Sequence, residues 1–600
     1  MLKKLGRVFL VLVVVFLSHV YLQLAQNHFS WHLASKFIVS WHTEKFILGT
    51  LVLLSVWGVC YGIVANLSVS LLLYSLGITV LGIANYQKIK YRMEPLYPDD
   101  LKMITEWSVL KDMVGPVLVI GLVIIIVVLI GISIYWALRS IKLPKNRQIY
   151  RGIFLVIGLV GVGYSSQFNS PNNLLRKGYN HTALWVPYSQ EMNYYNTGFV
   201  GGFLYNLKVE PMTKPKGYSK DRIAEIVKTY QTNKHKNNAT DQPNIVFIMS
   251  ESFSDPGHLT GPKFSRDTLQ PYHELAHQTY SGQMLSQNYG GGTANIEFEA
   301  LTGISLEPLN SQMTTPYTML VPKLEELPSI VSVLKNEGYE ATAIHPYNTS
   351  MYKRKDVYNV LGFDQFISEK EMTYQDKIEN NSYISDESAF SEVIKKLNES
   401  QKGQFIHLVT MQTHMPYSEK YQVSNQQVSG VENPISFKTY LEDIGYTSQA
   451  LAKFVKELKV LDRRTLVVFW GDHLPGIYGE QTKKNNGETA LHLTEFMMID
   501  SEDTFKPVDS GKGSILSPIY FGPKLFGKIG KALPGYYELL IKLEQGLPAF
   551  EKNRYYSNGK WSKERTLSEE TQKVYEDYEL ISYDLVSGHR YSVEMNFYKE

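Results

Sequence analysis

Hydrophobic and polar positions divide the chain into an apolar first part and a mixed second part, with the change near residue 166. A helix needs about 20 predominantly apolar residues to cross a bilayer. Four runs before residue 166 approach this length, and a fifth reaches it only if its flanking residues join the helix. The five runs are 5–25, 46–64, 67–86, 117–138 and 152–164. The pattern predicts a transmembrane domain of five helices over residues 1–166.

Basic residues predict the orientation of these helices. Lys3, Lys4 and Arg7 lie at the start of the first run, and five lysines or arginines lie between positions 139 and 151. Because short cytoplasmic loops are enriched in basic residues, both segments are expected on the inner side of a cell membrane. An odd number of spans then places the remainder of the chain outside the cell. The loop 87–115 is expected outside as well, although its basic residues conflict with that side and are only partly offset by acidic ones.

After residue 166 the pattern changes twice. Residues 167–241 have the turn chemistry of a connector, interrupted by one amphipathic helix at 220–232. From residue 242 onward, short apolar strands alternate with amphipathic helices, which is typical of an α/β fold with a mostly parallel sheet covered on both faces. The predicted strands are 244–249, 340–344, 405–411 and 465–470, and the predicted helices are 323–336, 385–397 and 440–458. Residues 242–600 are therefore predicted to form one α/β domain that carries the catalytic site.

Composition argues against a nucleic-acid partner and against sites built from cysteines. The formal net charge of the 600-residue chain is +2, which is too small to indicate a nucleic-acid partner. The chain has one cysteine, Cys60, so it forms no internal disulfide and no cysteine metal cluster.

A glycine-rich stretch at 289–292 precedes Thr293 and a short helical segment that Gly303 is placed to end. Glycines let the backbone approach a ligand closely. A residue at the start of a helix lies near unpaired N–H groups and the positive end of the helix dipole. Thr293 is thus either an ordinary helix cap or a hydroxyl placed where an alkoxide or a phosphate is stabilised.

Polar side chains follow the predicted strands at the edge where ligands bind in such sheets. Glu251 follows strand 244–249, and Asp472 and His473 follow strand 465–470. With the Thr293 hydroxyl they would complete a four-coordinate oxygen and nitrogen site suited to Mn²⁺, Mg²⁺ or Zn²⁺. A divalent ion there would activate the hydroxyl as a nucleophile.

Two further residues fit phosphoryl transfer. Arg354 has the planar group that clamps phosphate, and His414 would protonate a leaving alkoxide. Taken singly, each also fits a simpler description. Arg354 lies in the basic run 353–355 and would then be a surface residue, and His414 would be an ordinary loop histidine.

Six segments resemble the lipoteichoic acid synthase family of Gram-positive bacteria. They are 247–253 (FIMSESF), 291–298 (GGTANIEF), 352–354 (YKR), 413–417 (THMPY), 470–473 (WGDH) and 583–585 (YDL). The resemblance covers essentially the whole chain. It implies five membrane spans followed by an extracellular sulfatase-like domain of the alkaline phosphatase superfamily.

The resemblance also implies roles for the site residues. Glu251, Thr293, Asp472 and His473 are implied as metal ligands, usually to Mn²⁺. Thr293 is implied as the nucleophile that takes glycerol phosphate from the membrane lipid phosphatidylglycerol. The acceptor would be a glycolipid or a teichoic acid chain.

The same resemblance implies Arg354, His414 and Tyr352 as substrate contacts. Two positions depart from the family pattern. This chain has Tyr352 where the family has tryptophan, and Met249 where the family has histidine. Both positions would touch the glycerol phosphate, so the departures concern donor and acceptor preference rather than the metal.

Other functions remain open at this stage. The same chemistry would serve a glycolipid primase or an enzyme that decorates a wall polysaccharide. Phosphoethanolamine transferases share five spans and a threonine nucleophile, but their external domains tend to be held by disulfides. A sulfatase would need a cysteine or serine at the nucleophile position. A catalytically dead lipid-binding or sensor protein would have lost a metal ligand, and all four candidates are present.

Overall fold

The computed structural model describes residues 2–92, 95–98, 100–101, 116–170, 172–182, 185–186, 189–231, 242–349, 351–422, 426–507 and 514–599. The chain divides into two compact units, Met1–Val209 and Glu210–Glu600. This division falls inside the stretch 167–241 that the sequence predicts to be a connector. The predicted polar break at 237–241 lies outside the described residues, as does most of the predicted external loop between the third and fourth spans.

The regular secondary structure in the described part of the first unit consists of helices. Four of its helices are long and apolar enough to cross a membrane, namely Leu5–Gln26, Thr43–Val64, Leu67–Lys90 and Lys145–Ser166. A further helix, Pro116–Ile141, contains the apolar stretch Val127–Ile141. Each predicted run thus lies within a helix, and the fifth run is extended by its flanks to 22 residues. The chain is accordingly a multi-pass membrane protein with four to five apolar helices.

The predicted connector contains more helix than the pattern indicates. Helices Leu174–Asn180 and Gln190–Tyr205 belong to the first unit. The predicted amphipathic helix is present as Lys220–Gln231, and the Ser219 hydroxyl accepts a hydrogen bond from the Arg222 backbone N–H at 3.2 Å. This helix belongs to the second unit, where its apolar face is buried.

The second unit is built on strands that we number in chain order. They are β1 (Asn244–Ser250), β2 (Lys263–Phe264), β3 (Tyr280–Leu285), β4 (Glu340–His345), β5 (Gln365–Ser368), β6 (Gln404–Val409), β7 (Val428–Ser429), β8 (Thr465–Gly471), β9 (Leu493–Asp500), β10 (Ser514–Leu516), β11 (Ala549–Glu551), β12 (Arg554–Ser557) and β13 (Lys560–Ser562). Eight of the described strands form one sheet in the order β10-β3-β9-β8-β1-β6-β4-β5.

The sheet is mostly parallel, as predicted. Among its described strands, β9 alone runs against its neighbours, pairing antiparallel with both β3 and β8. Every residue of β1, β6 and β8 is buried, because helices cover both faces of the sheet. This is why those strands have continuous apolar character and were recognisable in the sequence, whereas the edge strands β5 and β10 and the second strand, β3, are only partly buried and were not.

Helices of the second unit surround this sheet. They are Lys220–Gln231, Gln270–Ala276, Thr293–Thr302, Pro316–Met319, Ile330–Asn336, Arg354–Leu361, Asp386–Leu397, Pro434–Leu458, Glu480–Ala490, Phe521–Lys528, Gly535–Gly546, Glu569–Val586 and Tyr591–Glu594. The helix predicted at 323–336 is shorter, because Pro328 disfavours helix before it and Ser329 caps the helix by accepting from the Ser332 N–H. The helix predicted at 440–458 begins earlier, at Pro434, where Asn433 is the cap.

Candidate active site

Glu251 and Asp472 meet because the strands that precede them are neighbours. β1 and β8 pair in parallel, with Ser250 opposite Gly471, so the next residue of each strand emerges at the same edge. A side chain at Gly471 would place its Cβ 1.7 Å from the Phe253 carbonyl oxygen. Glycine is therefore required for the close approach of the two strand ends.

Backbone and hydroxyl groups fix both carboxylates. Asp472 Oδ1 accepts hydrogen bonds from the backbone N–H groups of Ser252 and His473, each at 2.7 Å. Glu251 Oε1 accepts from the Ser252 hydroxyl at 2.8 Å, and the Thr413 hydroxyl donates to the Glu251 carbonyl. The two carboxylates are therefore held in place at the same edge of the sheet.

Thr293 reaches this pair from the glycine-rich loop. Gly290, Gly291 and Gly292 all have positive φ (72°, 155° and 92°), which residues with side chains rarely adopt. Gly292 is the N-cap and Thr293 is the first residue of helix Thr293–Thr302, with Gly303 ending it in the left-handed region. The Thr293 hydroxyl donates to Glu251 Oε2 at 3.2 Å. The simple helix-cap interpretation of Thr293 is thus wrong.

His473 completes the cluster. Its Nε2 lies 3.3 Å from Asp472 Oδ2, 3.8 Å from Glu251 Oε1 and 3.5 Å from Thr293 Oγ1. One ligand atom from each of Glu251, Asp472 and His473 lies within 4.8 Å of the others. Asp472 Oδ2 is buried and accepts no hydrogen bond from the described residues. The donor set, with its uncompensated oxygen, fits a divalent cation.

The pKa shifts of the cluster also indicate a site for a divalent cation. Burial and the neighbouring Glu251 charge raise the pKa of Asp472 to about 7. Burial opposes ionisation of Glu251 as well, but the imidazoles of His414 and His473 outweigh it and lower the pKa of Glu251. Burial likewise opposes protonation of His473, yet the two carboxylates raise its pKa. Two neighbouring buried carboxylates, one of which has its pKa raised by the charge of the other, are the arrangement that a bound cation relieves.

Arg354 is buried rather than on the surface. Its side chain is 1 % exposed, and Nη2 and Nε donate to Glu297 Oε2 at 2.9 and 3.1 Å. Nη1 lies 3.3 Å from His345 Nε2, and the Tyr352 ring centroid lies 5.3 Å from the guanidinium carbon. Tyr352 and Lys353 both have left-handed φ, which turns the chain into helix Arg354–Leu361. The surface interpretation of Arg354 is therefore wrong.

The partners of Arg354 were not predicted from the sequence. Glu297 accepts from Arg354, from the Tyr358 hydroxyl at 2.6 Å and from His407 Nε2 at 3.3 Å. Burial opposes its ionisation, but the Arg354 charge is decisive and lowers the pKa of Glu297 to about 2. One signal was available, because Glu297 is four residues after Thr293 in the same helix. His345, the last residue of β4, is the other partner, and burial and the Arg354 charge lower its pKa to about 3.

His414 lies in the loop after β6, next to Thr413. Its Nδ1 lies 2.8 Å from the Met415 carbonyl oxygen and 3.0 Å from the Tyr383 hydroxyl. Because a carbonyl oxygen only accepts, the Met415 contact assigns the hydrogen to Nδ1 and leaves Nε2 as the basic nitrogen. Met249, by contrast, is fully buried inside β1, opposite Val409 and Trp470.

The sulfatase family model matches residues 243–530, which include every residue of this cluster. With the sheet described above, this match identifies residues 243–530 as a sulfatase-like α/β domain of the alkaline phosphatase type. The sulfatase domain here has threonine at the start of helix Thr293–Thr302. Its α/β sheet and the apolar helices of the first unit confirm the predicted fold class.

Solved and curated relatives extend the comparison. The structure of Streptococcus pyogenes phosphoglycerol transferase GacH in complex with sn-glycerol-1-phosphate is similar, with 26% identity and a TM-score of 0.57 over 65% of this chain and 99% of that one. Lipoteichoic acid synthase 1 of Bacillus subtilis is 26% identical over 38% of this chain and 36% of its own. The resemblance to the lipoteichoic acid synthase family is thereby confirmed.

A third relative is similar over more of the chain. A putative cyclic beta-1,2-glucan modification protein of Rhizobium meliloti is 28% identical over 85% of this chain and 81% of its own length. These relatives are a phosphoglycerol transferase, a lipoteichoic acid synthase and a putative glucan modification protein, and they indicate enzymatic activity of the transferase type.

Proposed function

We propose that this protein is a metal-dependent phosphoglycerol transferase with Thr293 as its covalent nucleophile. The observation that carries the proposal is the contact between the Thr293 hydroxyl and Glu251, 3.2 Å apart in a buried cluster with Asp472 and His473. The similarity to the S. pyogenes phosphoglycerol transferase supports glycerol phosphate as the transferred group.

In the first step, Thr293 Oγ1 attacks the phosphorus of phosphatidylglycerol. The bond from phosphorus to the diacylglycerol oxygen breaks, and His414 Nε2, in its protonated form, gives a proton to that oxygen. The nucleophile's own proton passes to the Glu251 carboxylate, with which the hydroxyl is already hydrogen-bonded. The products are diacylglycerol and a glycerophospho-threonine.

In the second step, an acceptor hydroxyl attacks the same phosphorus. The bond from phosphorus to Thr293 Oγ1 breaks, the acceptor proton passes to His414, and the proton on Glu251 returns to the threonine oxygen. After this step His414 is protonated and Glu251 is ionised, as they were at the start of the cycle.

Glu251, Thr293, Asp472 and His473 would hold the metal, and Mn²⁺ is the proposed ion. When bound, it would favour the Thr293 alkoxide and offset charge on the phosphoryl oxygens. Arg354 would contribute the second N–H of each Nη, since its other N–H groups are used by Glu297 and His345. Tyr352 lies against the guanidinium and would contact the glycerol phosphate.

The proposed location is the outer face of the cell membrane. The apolar helices and the sulfatase domain are one chain, so the domain stays at the membrane that contains the donor lipid. Two acceptors are candidates. A teichoic acid chain or glycolipid follows from the resemblance, and a polysaccharide is favoured by the similarity to the R. meliloti glucan modification protein over 85% of the chain.

The test is a donor assay with the full-length protein purified in detergent. Labelled phosphatidylglycerol and labelled phosphatidylethanolamine are supplied separately with Mn²⁺. We expect diacylglycerol release from phosphatidylglycerol, with loss on chelation and recovery when Mn²⁺ is restored. A preference for phosphatidylethanolamine would assign the protein to the phosphoethanolamine transferases instead.

A further inference from the structure

A polar cleft lies beside His414, on the side of Tyr383. Its first part has a volume of about 600 Å³ and is lined by Asn380, Asn381, Ser382, Tyr383, Pro416, Ser418, Glu419 and Lys420. Its second part, about 360 Å³, shares Ser382 and Tyr383 and is lined also by Tyr347, Glu369, Lys370 and Lys377. Because the two parts share residues, they form one surface, which we call the Tyr383 cleft.

The Tyr383 cleft adjoins the cluster around Thr293 through two consecutive residues. Thr413 donates its hydroxyl to the Glu251 carbonyl, and His414 Nδ1 lies 3.0 Å from the Tyr383 hydroxyl. Burial raises the pKa of Tyr383 to about 12, with smaller contributions from Tyr347 and from the Glu251 charge. A ligand in the cleft therefore lies next to His414, the imidazole whose charge acts on Glu251 of that cluster.

The charges of the first part disfavour an anionic ligand. Lys420 is the cation among its lining residues, and its Nζ donates to the Gln412 carbonyl at 3.0 Å, the His414 carbonyl at 2.7 Å and Asp443 Oδ2 at 2.8 Å. An ammonium group has three donors, so Lys420 has none left for a ligand. Glu419 adds a negative charge at the same wall. A chain of glycerol phosphate units would find no free cation there.

The second part has more charged side chains than the first. It carries Glu369 with Lys370 and Lys377, and Lys377 donates to the Ser382 carbonyl at 2.6 Å. The second part therefore has an excess of one positive charge among its lining residues, whereas the first part, which adjoins His414, has its cation Lys420 fully bonded.

The remaining lining suits an uncharged, hydroxyl-rich molecule. Tyr347 and Tyr383 form an aromatic pair with ring centroids 5.8 Å apart at 62°, and both are half-buried. Asn380, Ser382 and Ser418 are exposed and offer amide and hydroxyl groups. Rings with polar tips beside such groups bind molecules that have both apolar faces and many hydroxyls.

We propose that the Tyr383 cleft binds an uncharged carbohydrate acceptor and presents one of its hydroxyls to the phosphoglyceryl group on Thr293. The proposal rests on the proposed transferase function and names its acceptor class. The hydroxyl oxygen forms the new bond to phosphorus, the bond to Thr293 Oγ1 breaks, and the hydroxyl proton passes to His414 Nε2. Tyr383 acts as a positioning residue, because its hydroxyl bonds Nδ1 of that imidazole.

The experiment compares two acceptors on the full-length protein in detergent with Mn²⁺ and labelled phosphatidylglycerol. One is an uncharged β-1,2-linked glucose oligosaccharide, and the other is a short polyglycerol phosphate. Tyr383→Ala removes the ring, Ser382→Trp fills the cleft, and Tyr374→Ala is the control. Tyr374 is an exposed tyrosine in the same stretch and lies outside the cleft.

Three quantities are measured for each variant. They are diacylglycerol release without acceptor, transfer of label to each acceptor, and direct binding of the glucose oligosaccharide by isothermal titration to the Thr293→Ala background. We expect the oligosaccharide to be the better acceptor. In Tyr383→Ala and Ser382→Trp, glucan transfer should fall by about tenfold more than diacylglycerol release, through a higher KM for glucan. The Tyr374→Ala control should match the wild type.

The outcomes separate this inference from the transferase proposal. If lipid is cleaved but the oligosaccharide neither binds nor accepts, or if both cleft variants transfer to it normally, the cleft is not a carbohydrate site. Better transfer to polyglycerol phosphate, lost in Ser382→Trp, would overturn the charge argument. If the oligosaccharide binds in a cleft-dependent way but no lipid is cleaved, the cleft assignment holds and the donor assignment is wrong.

Discussion

Glu297 and Arg354 form an ion pair that is closed to solvent, with Oε2 2.9 Å from Nη2 and side-chain exposures of 0 % and 1 %. Glu297 comes from the helix that begins at Thr293, and Arg354 begins its own helix after β4. The pair therefore ties the helix of the candidate nucleophile to the helix of the candidate phosphate ligand. Tyr358 and His407 surround Glu297 with further hydrogen bonds.

Removing one partner of this pair should destabilise the sulfatase domain. Glu297→Ala leaves a buried guanidinium without its carboxylate, and we expect a loss of about 3–5 kcal/mol in the free energy of unfolding. Lys453→Ala is the control, since Lys453 pairs with Glu387 at 2.5 Å but both are more than half exposed, and such pairs contribute about 0–1 kcal/mol. Urea unfolding followed by tryptophan fluorescence measures both. Equal losses in the two variants would contradict a structural role for the buried pair.

Thr293→Ala should abolish turnover while the domain remains folded. The hydroxyl contacts Glu251 and His473 and carries little of the core, so thermal melting should change little. Removing a principal nucleophile typically costs about 10³-fold or more in rate. Thr293→Ser keeps the hydroxyl and should retain part of the activity. Mass spectrometry of wild type without acceptor should find a phosphoglycerol adduct on Thr293, and undiminished turnover of the alanine variant would remove this residue from the mechanism.

Metal binding should stabilise the domain through Asp472. A ligand that binds only the folded state at a hundred times its Kd adds about 2.7 kcal/mol of stability. Saturating Mn²⁺ should therefore raise the melting temperature of the wild type, and chelation should reverse the rise. Asp472→Asn keeps the size of the side chain but removes its charge, so the metal-dependent rise should disappear. A rise of the same size in Asp472→Asn would exclude this carboxylate as a ligand.

The free energy of unfolding should fall as pH rises above neutrality. The cause is a chain of contacts in which His258 and His273 are hydrogen-bonded to carboxylates. The hydrogen bond to Glu495 raises the pKa of His258 to about 9, and the hydrogen bond to Asp255 raises the pKa of His273 to about 9. Because folded values lie above the unfolded value of 6.5, this contribution is complete below pH 6.5 and is lost as pH rises through 9. The effect is moderated by solvent, since the His258 side chain is 52 % exposed.

The variant for this prediction is Asp255→Asn, which removes the carboxylate that lies 3.0 Å from His273 and 3.8 Å from His258. Its melting temperature should depend less on pH between 6.5 and 9 than that of the wild type. His277→Gln is the control, because His277 is exposed and lies outside this chain of contacts. An unchanged pH dependence of the melting temperature in Asp255→Asn would show that the contacts of Asp255 with His258 and His273 do not contribute to it.

Orientation in the membrane is tested with fused reporters. The basic residues at 139–151 predict that this segment is inside the cell and that residues after 166 are outside. A reporter that is active only outside the cell should be active when fused after Glu600 and inactive when inserted within 139–151. The reverse pattern would contradict the five-span arrangement.

The sequence by itself determined the helical first part, the central strands and the residue types of the metal cluster. Apolar runs of about 20 residues are long enough to cross a membrane, so composition alone predicts the membrane helices. Strands β1, β6 and β8 are buried on both faces, so each is a continuous apolar run that can be recognised in the sequence. Glu251, Asp472 and His473 follow such strands directly, which is why their convergence was predictable.

Only the tertiary structure decided what these residues touch. Arg354 and Glu297 are 57 positions apart, and Lys420 loses its last free donor to Asp443, 23 positions away. Such contacts depend on the order of strands in the sheet and on how each loop folds back, which local patterns do not encode. The same holds for the Tyr383 cleft, because its walls come from separate loops that meet only when β4 and β6 lie side by side.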